Sequence, residues 1–177
     1  MSRCVPALLL ALLFGSSMSA VAASPAERLG KAIQFETISY QDRSQIDLAE
    51  FRRFHTFLRA SCPRVFRQLE VEVVNGYSLL IRWPGSDPKL EPILFTAHMD
   101  VVPIEPGTAG DWEHPPFAGV VADGRIYGRG SLDDKQGVLG NLEAAESLLA
   151  EGFVPARTIV FAFGHDEEIS GQHGAAK

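Results

Sequence analysis

A chain of 177 residues with 46% hydrophobic and 21% charged residues has the size and balance of one globular domain, which excludes a disordered or fibrous protein. The formal net charge of −6 excludes a sequence-independent nucleic-acid binder, because such a protein needs a basic face against phosphates. Only two cysteines are present, and one of them, Cys4, lies in the leader described next, so no internal disulfide is expected.

Arg3 precedes the apolar stretch from Val5 to Phe14, and the small residues Ala20, Val21, Ala22 and Ala23 follow before Ser24. That order of charge, apolar run and small residues is a secretory signal peptide. Cleavage is expected after Ala22 or Ala23, so residues 1–23 are the leader, residues 24–177 the mature portion, and the protein is exported, secreted or periplasmic. The apolar stretch is shorter than the roughly 20 residues that span a bilayer, which argues against a stable membrane span. Cys62 then stands alone as a small buried hydrophobe.

In the mature portion, Ser24 with Glu27 three residues on, and Pro25 between them, forms a capping box that opens a helix through about Phe35. Asp47 and Glu50 repeat the signal for a second helix, with Leu48, Phe51, Phe54, His55 and Leu58 on one face. His55 on that face reads as a core-edge histidine rather than a ligand. The β-forming runs Leu69 to Val74 and Tyr77 to Trp83 flank Asn75 and Gly76, a pair that favours a type I′ hairpin turn. Ile93 to Ala97 is the next strand, followed by a long loop from Val102 to Gly119. A helix beginning near Asp133 directs Val138, Leu142, Ala145, Leu148 and Leu149 inward and ends at Gly152. The continuous apolar run Thr158 to Phe163 predicts a strand buried on both faces. A further helix is expected to begin after Gly174. Helices alternating with strands predict an α/β fold, a three-layer α/β/α sandwich with a mixed, mostly parallel sheet.

Three segments end in ligand-type residues: HMDVVP with His98 and Asp100, GRGSLDDK with Asp133 and Asp134, and GHDEE with Glu167 and Glu168. Two of them follow predicted strands, and sites in open α/β sheets form beyond the carboxyl ends of strands. A pair of catalytic zinc ions, about 3.5 to 4 Å apart, needs one bridging carboxylate and further His or carboxylate ligands. Asp133 is the candidate bridge, with His98 and Glu168 as terminal ligands. Asp100, two residues past His98, can accept the other imidazole N–H and orient the ring. Neighbouring side chains in extended backbone diverge, so Glu168 can bind metal while Glu167 acts as general base on a metal-activated water. Cobalt or manganese would suit the same donors.

Each segment also has a simpler reading. Asp133 and Asp134 are acids of the kind favoured at a helix N-terminus, and Glu167 and Glu168 by themselves are ordinary solvated acids. His114, His165 and His173 sit in polar stretches and read as solvent-facing or as supports for ligands. It is the joint pattern that favours the metal site. Other catalytic classes lack their motifs: GRGSLD does not complete the dinucleotide fingerprint, and neither a phosphate-binding loop nor a GxSxG elbow occurs. Nothing in the sequence supplies an activating neighbour for Cys62.

HMDVVP, DWEHPPFAG, YGRGSLDDK and GHDEEISGQHGA, in this order and spacing, resemble the dinuclear-zinc peptidase and amidohydrolase family of carboxypeptidase S, aminoacylase and glutamate carboxypeptidase. The resemblance runs from about Pro25 to Lys177, and the last motif is most similar to carboxypeptidase S and the secreted enzymes of N-fatty-acyl amino acids. It implies the same roles for His98, Asp100, Asp133, Glu167 and Glu168, and a cis peptide between Asp133 and Asp134. It also implies a further carboxylate ligand, a late His ligand and a lid domain used for substrate binding and homodimerisation, none of which is in this chain. The expectation is therefore the N-terminal portion of a catalytic domain. Its complete protein would hydrolyse an amide bond in a peptide C-terminus or an N-acyl amino acid, while the isolated chain would bind zinc weakly and turn over little. The alternative is an exported module of the same fold that binds metal or a partner without catalysis.

Overall fold

The computed structural model describes residues 23–177, so the proposed leader lies outside the described residues apart from Ala23. Helix α1 (Pro25–Ile33) opens on the expected capping box: the Ser24 hydroxyl accepts the Glu27 amide and the Glu27 carboxylate accepts the Ser24 amide. It ends two residues before the predicted Phe35. Helix α2 (Leu48–Ser61) is capped by Asp47, whose carboxylate accepts the Ala49 amide at 2.9 Å. The second capping box does not close, because Glu50 turns to the Arg53 guanidinium instead. Phe51, Phe54, His55 and Leu58 are buried as expected. Leu48, in the first turn at the end of the helix, is exposed.

A short helix α3 (Pro63–Gln68) follows, unpredicted although Pro63 occupies its first position. Strands β1 (Glu70–Val74) and β2 (Ser78–Trp83) form the predicted hairpin, with Asn75 and Gly76 at φ 49° and 83°. Strand β3 (Ile93–His98) runs one residue further than expected. A small hairpin, β4 (Val120–Ala122) and β5 (Arg125–Tyr127), interrupts what reads as loop, turning on Asp123 and Gly124. Helix α4 (Lys135–Ala150) ends in a Schellman motif at Gly152, with the Phe153 amide on the Leu148 carbonyl at 3.0 Å. Strand β6 (Ile159–Gly164) completes the main sheet. Residues 172–176 form turns where a helix was expected.

The sheet order is β1-β2-β6-β3. It is mixed, as predicted, with β3 and β6 parallel, but β1–β2 and β2–β6 are antiparallel, so it is not mostly parallel over the described residues. Phe51, Phe54 and Leu58 of α2, Val138, Leu142 and Ala145 of α4, and Leu79, Ile81, Phe161 and Phe163 of the strands form one core. Full burial of such a side chain contributes roughly 1.5 to 3 kcal/mol. The strand residues between these, such as Leu80, Leu94 and Val160, face the other way and are not in that core. Among the described residues the helices therefore cover one face of the sheet, giving two of the three expected layers. Where α1 meets the approach to β4, Gly30 and Gly119 touch so closely that a Cβ on Gly119 would sit 1.8 Å from the Gly30 carbonyl oxygen.

Parallel pairing of β3 with β6 decides where the motifs meet. His98 lies opposite Gly164 in the register, and the Met99 amide continues the ladder to the Gly164 carbonyl at 2.8 Å. The carboxyl ends of both strands thus open at one edge. Helix α4 starts there too.

Candidate metal centre

His98, the last residue of β3, is buried, and its ring is held from both sides. Its Nδ1–H donates to the Asp100 backbone carbonyl at 3.0 Å, while the Asp100 carboxylate lies further off at 3.4 Å. The carbonyl, more than the carboxylate expected from sequence, is the nearer orienting acceptor. The opposite nitrogen, Nε2, donates to Asp133 Oδ1 at 2.8 Å and lies 3.7 Å from Glu167 Oε2. Burial pulls the imidazole pKa down, but the hydrogen bonds to Asp100 and Asp133 outweigh it and raise the value to about 10.

Asp133 lies in the turn that feeds α4, and its side chain is largely exposed. The Asp133–Asp134 peptide is cis, as the resemblance implied. Asp134 serves as the cap of α4, accepting the Gly137 amide at 3.2 Å. One of the two acids thus serves the simpler helix-cap reading, and the other faces the histidine. Glu167 and Glu168 open a short 3-10 turn, Glu167–Ile169, three residues beyond β6. Burial raises the Glu168 pKa; His98 opposes this, and the neighbouring Asp133, Asp100 and Glu167 carboxylates add to it.

His98, Asp133 and Glu168 each present one ligand atom, all within 4.8 Å of one another. Together they offer one imidazole and two carboxylates, a donor set that suits zinc, cobalt or manganese. Gathering carboxylates at one spot is unfavourable without a cation. A divalent ion would relieve that repulsion and take the position of the proton now on His98 Nε2, so the residues fit a metal.

Asp100 is fully buried and joins the parts of the site. Its Oδ1 accepts the Glu167 amide at 3.1 Å; its Oδ2 accepts the Glu168 amide at 3.1 Å and the Ser39 hydroxyl at 2.7 Å. Burial raises its pKa, but the hydrogen bonds from His98, Ser39 and Glu168 prevail and hold it low. The turn carrying both glutamates is thus tied through one carboxylate to the strand carrying the histidine.

Several supporting groups carry no signal in the sequence. Lys135 is fully buried, with its ammonium donating to the carbonyls of Ala32 at 3.1 Å and Phe35, and 5.1 Å from the centre of the Phe54 ring. Burial lowers its pKa to about 7. Asp166, also fully buried, accepts Arg43 at 3.2 Å and the His173 amide at 2.9 Å. His165 is buried, which leaves the supporting rather than the solvent-facing alternative of its sequence reading: it packs edge-on against Phe51 and its Nδ1 shares a 2.6 Å hydrogen bond with Ser78. His173 is exposed, and His114 packs edge-on against Tyr127. His55 sits at the core edge with Nε2–H on the Tyr77 carbonyl, and Cys62 is buried with its thiol pKa pushed up to about 12.

Residues 94–177 match the family model of "Peptidase family M20/M25/M40". The chain is 46% identical over 152 residues to the probable carboxypeptidase S-like 2 of Dictyostelium discoideum, covering 85% of this chain and 29% of that protein. It is 45% identical over 148 residues to an N-fatty-acyl-amino acid synthase/hydrolase of Danio rerio (82% and 28%), and 39% identical over 161 residues to carboxypeptidase S of Saccharomyces cerevisiae (86% and 28%). The chain thus spans less than a third of the length of these relatives. Among solved structures it superposes on human carnosine dipeptidase 1 with a TM-score of 0.65 at 23% identity, over 84% of this chain and 33% of that one. That likeness concerns the fold. Among the described residues no helix is long and apolar enough to cross a membrane.

Proposed function

We propose, from the premise that through residues 94–177 this chain belongs to the M20/M25/M40 peptidase family, that its complete protein is an exported, zinc-dependent amide hydrolase. The substrate is a peptide cut at its C-terminus or an N-acyl amino acid, the two chemistries named in its relatives. The observation that carries the reading is the convergence of His98, Asp133 and Glu168 at the shared edge of β3, β6 and α4. Export rests on the leader in residues 1–23, with cleavage after Ala22 or Ala23.

When bound, zinc would supply Lewis acidity, lowering the pKa of a coordinated water toward 7 and polarising the substrate carbonyl. His98, Asp133 and Glu168 would be the residues that hold that metal. Glu167, beside the ligands but with an exposed carboxylate, takes the proton of the attacking water and returns it to the leaving amine. Asp100 keeps the imidazole in place and anchors the turn that presents both glutamates. The three ligands gathered among the described residues are fewer than a two-zinc centre needs, so by themselves they would bind zinc weakly and support little turnover. A second reading is a metal- or partner-binding module without catalysis, for which the same three donors would serve.

The test is Glu167→Gln in the complete protein. Loss of a general base lowers kcat by about 10² to 10⁴, while zinc content stays that of the wild type. Retained turnover removes Glu167 from the mechanism, and absence of any chelator-sensitive amide hydrolysis in the wild-type protein selects the binding module.

A further inference from the structure

Ser39 is 61 residues from Asp100 in sequence, yet its hydroxyl makes the shortest hydrogen bond that the Asp100 carboxylate receives, 2.7 Å to Oδ2. It is itself buried, and its backbone is built into the site. The Ser39 amide donates to the Val101 carbonyl at 3.0 Å and the Val101 amide to the Thr37 carbonyl at 3.0 Å. Ile38 pairs with Val101 as a parallel bridge. The hydroxyl is therefore delivered by backbone pairing beside the strand that ends in His98.

The geometry of the carboxylate gives this contact its consequence. A carboxylate offers about four lone-pair sites. Here the Ser39 hydroxyl, the Glu167 amide and the Glu168 amide occupy three of them, with His98 nearest the remaining one. The two amides sit on different oxygens, so rotation of the carboxylate about its Cβ–Cγ bond loosens both together. Ser39, on the same oxygen as the Glu168 amide, is the closest side-chain donor to oppose this rotation.

We propose that Ser39 is a positioning residue of the hydrolytic site: by fixing the plane of the Asp100 carboxylate it sets the turn that presents Glu167 and Glu168 to the metal. The assignment rests on the hydrolase reading above for its catalytic half, while its metal-binding half stands without it. Groups that orient metal ligands typically change affinity or activity 10- to 100-fold when removed. Ser39 acts one hydrogen bond further out, so the lower end of that range is expected.

The experiment compares Ser39→Ala with Thr37→Val in the complete protein. Thr37 is a control from the same buried segment: its hydroxyl donates to the Met99 carbonyl at 2.6 Å and does not touch Asp100. Zinc affinity is measured by chelator competition, and kcat and KM on an N-acyl amino acid. Ser39→Ala is expected to weaken zinc about tenfold and, at saturating zinc, to lower kcat about tenfold with KM within twofold; Thr37→Val stays within threefold in both. The proposal is overturned if Ser39→Ala stays within threefold of wild type, or if both variants lose zinc affinity equally, which is the signature of a merely structural segment. Should Ser39→Ala fail to fold, Ser39→Cys, of similar volume with a weaker donor, is read against the same thresholds. If the wild type hydrolyses no amide, the hydrolase reading falls, and the zinc affinities still decide the role of Ser39.

Discussion

Two buried cations near the site titrate in opposite directions, and their effects on stability cancel until one is removed. His98 has its pKa raised to about 10 because hydrogen bonds to Asp100 and Asp133 outweigh burial. The native state therefore holds a proton that the unfolded chain releases near pH 6.5. The stability it contributes is complete below about pH 6.5 and is lost as pH rises through about 10. Lys135 is the reverse case, with burial lowering its pKa to about 7. There the unfolded chain holds the extra proton, and the cost of burying the ammonium is relieved as pH rises from about 7 toward 10.5. Each group changes stability by at most about 1.4 kcal/mol per pH unit. Between pH 7.5 and 9 that is about 2 kcal/mol apiece, of opposite sign.

Urea unfolding of the metal-free protein in chelator should therefore show little pH dependence from this pair in the wild type. With Lys135→Met, stability should fall by about 2 kcal/mol from pH 7.5 to 9; with His98→Gln, it should rise by a similar amount. Lys135→Met also strips the carbonyls of Ala32 and Phe35 of a donor, but that loss shifts the whole curve and leaves its slope to report the proton. Measurements stop at pH 9 because the buried Cys62 thiol, with its pKa pushed up to about 12, adds its own loss of stability above that point. Equal slopes in the wild type and Lys135→Met would refute the argument. They would mean that the Lys135 ammonium is not titrating from a buried position.

Metal binding should show the same proton. Because His98 Nε2 holds a proton at neutral pH in the metal-free protein, a metal ion must displace it, so apparent zinc affinity rises about tenfold per pH unit between pH 7 and 9. Calorimetry in buffers of different ionisation enthalpy should report about one proton released from His98 for each zinc bound there; release of none would contradict the assignment of His98 as a ligand. Gly119→Ala tests the packing of α1 on the approach to β4. Its new Cβ would overlap the Gly30 carbonyl at a backbone φ of 61°, so the expected loss is about 2 kcal/mol or more in chemical denaturation. A loss under about 0.5 kcal/mol would show that the two segments separate at little cost.

Local chemistry was legible wherever its cause lay within a few residues. Ser24, Pro25 and Glu27 specify the start of α1, and Asn75 with Gly76 specify a hairpin that needs two positive φ values. Asp123 and Gly124 carry the same kind of signal for the turn between β4 and β5, and Pro63 marks a helix directly behind α2. The motifs around His98, Asp133 and Glu168 also announced themselves, because metal-ligand chemistry admits few residue types. Other contacts are long-range, and no spacing in the chain encodes them. The parallel register of His98 with Gly164 arises from sheet pairing, the burial of Lys135 from the meeting of α4 with the end of α1, and the bond from Ser39 to Asp100 from a bridge between distant segments. The sequence by itself thus determined the caps, the turns and the kinds of atom available to hold a metal. The tertiary structure alone decided where those atoms meet and which buried groups hold them there, because those outcomes depend on where separate segments pack.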